Sequence, residues 1–158
     1  WIEGTTDFIF GASTCWFEDC TILSKRDSYI TAASTPENEE FGYVFNGCRL
    51  IHNDNATKVY LGRPWRSFAK TVFIGCELGD HIRPEGWHNW SKPYAEKTTF
   101  YAEYGNTGAG AEGKRVKWSH TLKEKDLKKY TPENVLKCGA EQDKNGVNVQ
   151  TEWYFKVF

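Results

Sequence analysis

Phenylalanine and cysteine recur together at one interval in the first half of this chain. Phe17-Glu18-Asp19-Cys20, Phe45-Asn46-Gly47-Cys48 and Phe73-Ile74-Gly75-Cys76 are three copies of a Phe-x-x-Cys unit. The step from Phe17 to Phe45 equals that from Phe45 to Phe73, and the cysteines keep it too. A fixed period of this length marks a solenoid, in which each repeat buries its apolar face only against its neighbours. A second β-favouring run lies upstream of each unit, at 7–10, 28–33 and 58–61. Turn-rich stretches such as Ser34-Thr35-Pro36-Glu37-Asn38 and His52-Asn53-Asp54-Asn55 separate the runs. Residues 1–80 show no helical period, which disfavours helical repeats. The pattern predicts an all-β chain folded as a right-handed parallel β-helix, with coils stacked about 4.8 Å apart. Cys20, Cys48 and Cys76 then form a buried ladder of free thiols acting as small hydrophobes.

Beyond Cys76 the pattern loosens. Residues 98–104 read as a strand and 115–118 as one more. Gly105-Asn106-Thr107-Gly108-Ala109-Gly110-Ala111 reads as a plain loop, since it lacks both Gly-x-Gly-x-x-Gly and a Lys-Ser/Thr ending. The lysine-rich stretch 122–130 reads as a surface helix, and Thr131-Pro132-Glu133 as the start of another, with Thr131 as its cap. The tail, 147–158, is expected to pack back along the solenoid. The whole is read as one partial domain over 1–158, coils and loops to 118 and a helical segment and tail from 119. The chain opens on Trp1-Ile2-Glu3, without an initiator Met or a basic-then-apolar leader. It is read as a mature or N-terminally truncated piece whose start falls inside a strand.

Chemistry concentrates at two places. In Gly4-Thr5-Thr6-Asp7-Phe8-Ile9-Phe10-Gly11 one carboxylate sits within an apolar run closed by glycines, where it needs a cation or good donors. Taken alone it could equally be a turn aspartate bonding its own backbone. The second place is Lys58-Val59-Tyr60-Leu61-Gly62-Arg63-Pro64-Trp65. The separation of Asp7 and Arg63 is twice the Phe-to-Phe step. Equal register two coils apart sets their backbones roughly 9.6 Å from one another, within reach of an extended arginine. Carboxylate, guanidinium and the neighbouring Trp65 together point to an enzyme acting on a sugar polymer.

Composition narrows the partners. A net charge of −1 and a pI near 6.5 imply no electrostatic attraction to nucleic acid or anionic membrane. No apolar run approaches the roughly 18 residues of a membrane span. Aromatic residues make up 16% of the chain, which suits either carbohydrate stacking or an aromatic core. Five cysteines without a Cys-x-x-Cys pair favour neither a zinc motif nor a redox motif. His52, His81, His88 and His120 are scattered at no metal or triad spacing and read as surface or structural residues. The Glu39-Glu40 pair reads as solvated.

The two segments around Asp7 and Arg63 resemble the signature segments of the pectin methylesterases. The likeness continues through Gly86-Trp87 and Tyr101-Ala102-Glu103-Tyr104-Gly105-Asn106-Thr107-Gly108-Ala109-Gly110-Ala111, and covers about residues 2–118. The resemblance implies a right-handed parallel β-helix, in agreement with the period. It implies that Asp7 is the nucleophile attacking the C6 methyl ester of a galacturonate unit, that Arg63 orients it, and that Trp65 packs against the sugar. Phe10 and Trp90 match cleft positions, and Thr6 is a cleft-wall candidate. No metal or cofactor is implied. The partner is methyl-esterified homogalacturonan, and the setting is secreted, extracellular or periplasmic. The protein is expected as a monomer, or associated with a missing N-terminal half. One family element has no counterpart here: a Gln-Asp segment one coil before the nucleophile, whose aspartate is the general acid and base, with a further glutamine for the oxyanion. Glu3 is not in such a motif. The alternatives are a non-catalytic polysaccharide-binding β-helix or an inactive fragment. A pectate lyase would need a calcium cage, and a pectin lyase or polygalacturonase leaves Gly62-Arg63-Pro64-Trp65 unexplained.

Overall fold

The Phe-x-x-Cys units stack as the period requires. The structure, a computed structural model, describes residues 1–136 and the backbone of two short strands beyond them. The first coil runs through β1 (Ile2–Gly4), β2 (Ile9–Gly11) and β3 (Cys15–Glu18). The second comprises β4 (Thr21–Ser24), β5 (Tyr29–Ala33) and β6 (Tyr43–Asn46). The third is β7 (Arg49–His52), β8 (Tyr60–Gly62) and β9 (Lys70–Ile74), followed by β10 (Glu77–Leu78), β11 (Phe100–Tyr104) and β12 (His120–Thr121). Equivalent strands pair in parallel and make three sheets, ordered β1-β4-β7-β10, β2-β5-β8 and β3-β6-β9-β11-β12. This is a right-handed parallel β-solenoid.

Register in two of the sheets follows the constant step of the sequence. Phe17 faces Phe45 and Phe45 faces Phe73, while Ile22 faces Leu50 and Leu50 faces Leu78. The three phenylalanine rings lie parallel, with centroids 4.4 and 4.3 Å apart. The apolar stack continues through Trp87 to Tyr101, whose rings stack at 4.3 Å. Much of the aromatic content is therefore core. The thiols are free and laddered: Cys48 Sγ donates to the Phe17 carbonyl of the preceding coil, and Cys76 Sγ does the same to Phe45. Between each phenylalanine-bearing strand and the following sheet the chain turns through one left-handed residue. It is Asp19, Gly47 and Gly75 in successive coils, with φ of 51°, 63° and 60°. Glycine suits this corner because L side chains crowd it.

The later segments differ in detail from the expectation. Residues 115–118 are not a strand; the added strand is β12, because Arg115 is committed elsewhere. Its guanidinium donates to Glu103 from Nε (2.7 Å) and Nη2 (3.0 Å), and to the Pro84 and Gly110 carbonyls. The same carboxylate accepts from Trp87 Nε1 and Asn106 Nδ2, so this likeness segment braces the coil ends. The stretch 122–130 does hold a surface helix, of 3₁₀ type over Glu124–Lys129. Thr131 caps the short helix α1 (Pro132–Val135), accepting from the Asn134 N–H at 3.2 Å, as expected. β13 (Glu141–Gln142) and β14 (Asn148–Val149) pair antiparallel. The expected packing of the tail, and Cys138, otherwise lie outside the described residues. Among the described residues no helix is long and apolar enough to cross a membrane.

Candidate active site

Asp7 and Arg63 meet on the β2-β5-β8 sheet, but not by equal register. Ile9 faces Thr31 and Thr31 faces Gly62, two unequal steps of which neither matches the step on the other sheets. By that register Tyr29 and then Tyr60 stand in line with Asp7, and Arg63 lies three residues further on. The first coil is short, with a three-residue loop (12–14) between β2 and β3, while the loop before β8 (53–59) is longer than its predecessor. The spacing is uniform from Phe17 to Phe73 on one sheet and from Ile22 to Leu78 on another, and on this one it is not. Arg63 closes the offset with its side chain. Its Nε donates to Asp7 Oδ1 at 3.0 Å and its Nη2 to Oδ2 at 2.6 Å. Each side chain is only 13% exposed. A two-pronged, charge-assisted pair of this kind fixes direction as well as charge.

Two aromatic rings contact the guanidinium. Arg63 Cζ lies 4.0 Å from the Tyr29 ring centroid and 4.3 Å from that of Trp90. Such contacts stabilise a cation most where water is thin. Trp65 stacks on Trp90 at 5.0 Å, and Phe10 meets Trp65 edge-on at 5.0 Å. Phe10 is 54% exposed. Phe10, Trp65 and Trp90 thus form one continuous aromatic wall beside the Asp7–Arg63 pair, and Thr6 is exposed next to it. Glu3 is directed elsewhere: it accepts from Trp1 Nε1 and Lys25 Nζ, and these two bonds hold its carboxyl below the ordinary range.

The backbone is strained where the site needs it. Asp7, Trp90 and Ser91 have φ of 51°, 51° and 55°. Aspartate visits this region at modest cost, but a bulky residue such as Trp90 does not. The Asp7 N–H donates to the Tyr29 carbonyl (2.8 Å), and Asn89 Oδ1 and His88 Nδ1 accept from Ser91 and Trp90 N–H at 3.0 Å. Lys92 Nζ donates to the Pro64 and Trp65 carbonyls and ties this turn to the arginine loop. Gly62 is required by packing: a Cβ there would overlap Thr31 Oγ1, which donates to the Leu61 carbonyl.

Tyr29, Tyr60, His88 and Lys92 escaped the sequence reading. Tyr29 lies within a run identified as a strand, and the signal for it was its place on the coil between Asp7 and Arg63. His88 has a pH consequence. Burial, then the charges of Arg63 and Arg83, lower its pKa from 6.5. The unfolded chain therefore binds this proton first, and stability falls as pH drops below 6.5 toward the lower folded value. The proton would also land on Nδ1, the atom that accepts from Trp90. Unfolding midpoints measured against pH should decline over this window, and His88→Gln should flatten the decline; an unchanged slope would refute the assignment.

The pectinesterase family model matches residues 1–139. Among curated proteins, the chain is 43% identical over 145 residues to a probable pectinesterase/pectinesterase inhibitor 6 of Arabidopsis thaliana, covering 85% of this chain and 26% of that protein. It is 37% identical over 155 residues to pectinesterase/pectinesterase inhibitor U1 of Solanum lycopersicum, covering 88% and 27%. Among solved structures, the pectin methylesterase from carrot superposes with a TM-score of 0.79 at 32% identity, covering 85% of this chain and 47% of that one. The Aspergillus niger enzyme in deglycosylated form gives 0.74 at 32% identity, covering 85% and 44%. The chain thus spans about a quarter of the length of these curated relatives and about half that of these solved structures. With sequence and fold in agreement over the coils that carry Asp7 and Arg63, this chain belongs to the pectinesterase family.

Proposed function

We propose that the chain carries the nucleophile-bearing portion of a pectin methylesterase, which removes methyl esters from the C6 carboxyl of galacturonate units. The observation that carries this reading is the Asp7 carboxylate, gripped at both oxygens by Arg63 and bordered by an aromatic wall. Asp7 would attack the ester carbonyl carbon, and collapse of the tetrahedral adduct would expel methanol and leave an Asp7 anhydride, which water then hydrolyses. Arg63 aims the attacking oxygen, and the Tyr29 and Trp90 rings keep its guanidinium in place. Trp65 and Phe10 offer apolar faces to the sugar rings, Trp90 backs them, and Thr6 lines the rim. The family likeness assigns the proton for departing methanol to an aspartate in a Gln-Asp segment one coil before the nucleophile. No Gln-Asp precedes Asp7 in residues 1–158. Glu3 does not replace it, since its carboxyl is paired with Lys25 and held in the weakly basic form. Homogalacturonan as partner, a secreted setting and a partial single domain belong to the same proposal.

The test is methanol release from methyl-esterified homogalacturonan, read together with polymer length and product unsaturation. The expected result, in a full-length protein whose Gln-Asp coil is present, is methanol without chain shortening or unsaturation. The aromatic wall is also compatible with a second reading, a non-catalytic polysaccharide-binding solenoid. That reading predicts retention of the polymer and no methanol, and such an outcome would replace the first.

A further inference from the structure

The fold collects two histidines and an aspartate that look unrelated in the sequence. His52 ends β7, and Asp80 stands in line with it one coil later; His81 follows directly. One ligand-capable atom from each of His52, Asp80 and His81 lies within 4.8 Å of the others. The two imidazole rings are 4.6 Å apart and tilted by 32°.

The hydrogen bonding within the cluster is incomplete. His81 is 1% exposed, yet among the described residues neither of its ring nitrogens has a hydrogen-bond partner. A buried polar atom in this condition is costly and needs an explanation. Gly79 makes room for the ring, since a Cβ there would lie 2.7 Å from His81 Nδ1. His52 is oriented from behind: Nδ1 donates to the Asn53 carbonyl at 2.9 Å, which leaves Nε2 facing Asp80 Oδ1 at 3.0 Å. A nitrogen lone pair and a carboxylate oxygen this close need a positive particle between them, either a proton or a metal ion. An imidazole whose far N–H is tied to a backbone carbonyl is the usual arrangement of a metal-binding histidine. Asp80, with its side chain 76% exposed, leaves the cluster open to solvent for entry and for a coordinated water.

We propose that His52, Asp80 and His81 bind a divalent transition-metal ion of the zinc class, which ties the third coil to the strand that follows it. Two imidazoles and one carboxylate are borderline ligands suited to zinc and poorly suited to calcium. The ion would give one His81 nitrogen a partner and replace the proton between His52 and Asp80. The site lies on the β1-β4-β7-β10 sheet and is independent of the esterase reading.

The test uses the full chain, stripped with chelator and titrated with Zn²⁺ alone. One equivalent should bind, and at about 100 times the dissociation constant the thermal midpoint should rise by roughly 5–10 °C. Co²⁺ should give the visible absorption of a tetrahedral site. His52→Gln and Asp80→Asn change side chains near the surface and should leave the metal-free midpoint within a few degrees, yet each should weaken zinc binding by at least about tenfold. A wild-type midpoint that does not move with Zn²⁺, variants that bind zinc as the wild type does, or a Ca²⁺ shift of equal size would each overturn the proposal.

Discussion

Methanol release is expected to fall by on the order of 10⁴-fold when Asp7 is replaced by Asn, because a nucleophile removed from an acyl-transfer site takes most of the catalysis with it. The amide keeps the shape of the carboxylate but is not a nucleophile, and one of its ends presents N–H to a guanidinium that can only donate. Arg63→Lys should lose less, roughly 10²-fold. The charge would remain, but a single ammonium cannot grip both carboxylate oxygens, and a slightly misaimed nucleophile is slow. The measurement is methanol production by the full-length wild type and each variant, with the Gln-Asp coil present and under identical conditions, and circular dichroism establishes that the coils persist. An Asp7→Asn protein whose rate stays within about tenfold of the wild type would remove Asp7 from the role of nucleophile.

Phe45→Ala should destabilise the fold by about 3–5 kcal/mol, the range for emptying a buried aromatic site. Phe45 is fully buried and has a ring on both faces, Phe17 at 4.4 Å and Phe73 at 4.3 Å. Its loss opens a cavity in the middle of a stack, between two rings carried on strands whose register fixes their backbones. Phe17 is only partly buried and ends the row, so Phe17→Ala should cost distinctly less. Urea unfolding of the two variants checks the difference. Equal losses would mean that the stack contributes no more than ordinary burial.

Much of this architecture was legible because Phe17, Phe45 and Phe73 repeat at a constant interval, which is what stacked coils produce. The same clock sets His52 and Asp80 one step apart, a relation that the irregular spacing of the histidines among themselves conceals. Asp7 and Arg63 were paired for a partly wrong reason. Their separation matches two periods, yet the strands beneath them are offset by three residues, and the side chain of Arg63 makes up the difference. Tyr29 could not be seen as part of the site without knowing which coil lies between the pair. The strand assigned to 115–118 failed because local β preference is outweighed by the bonds that draw Arg115 to Glu103, a pairing across space that no local pattern records.

The corner that leads from β3, β6 and β9 into β4, β7 and β10 has a consequence for how such a chain can change over time. It is two residues long in each of three coils: Asp19-Cys20, Gly47-Cys48 and Gly75-Cys76. Most of the variation in length among these three coils falls in the loops on either side of the β2-β5-β8 sheet, where entering loops run to four, four and seven residues and leaving loops to three, nine and seven. Insertion and deletion are thereby concentrated on the side of the molecule that holds Asp7, Arg63 and the aromatic wall. An inherited or engineered length change there can reshape the groove while the phase of the other two sheets is untouched. The rigid corner acts as a buffer that lets the working surface diversify without renegotiating the core.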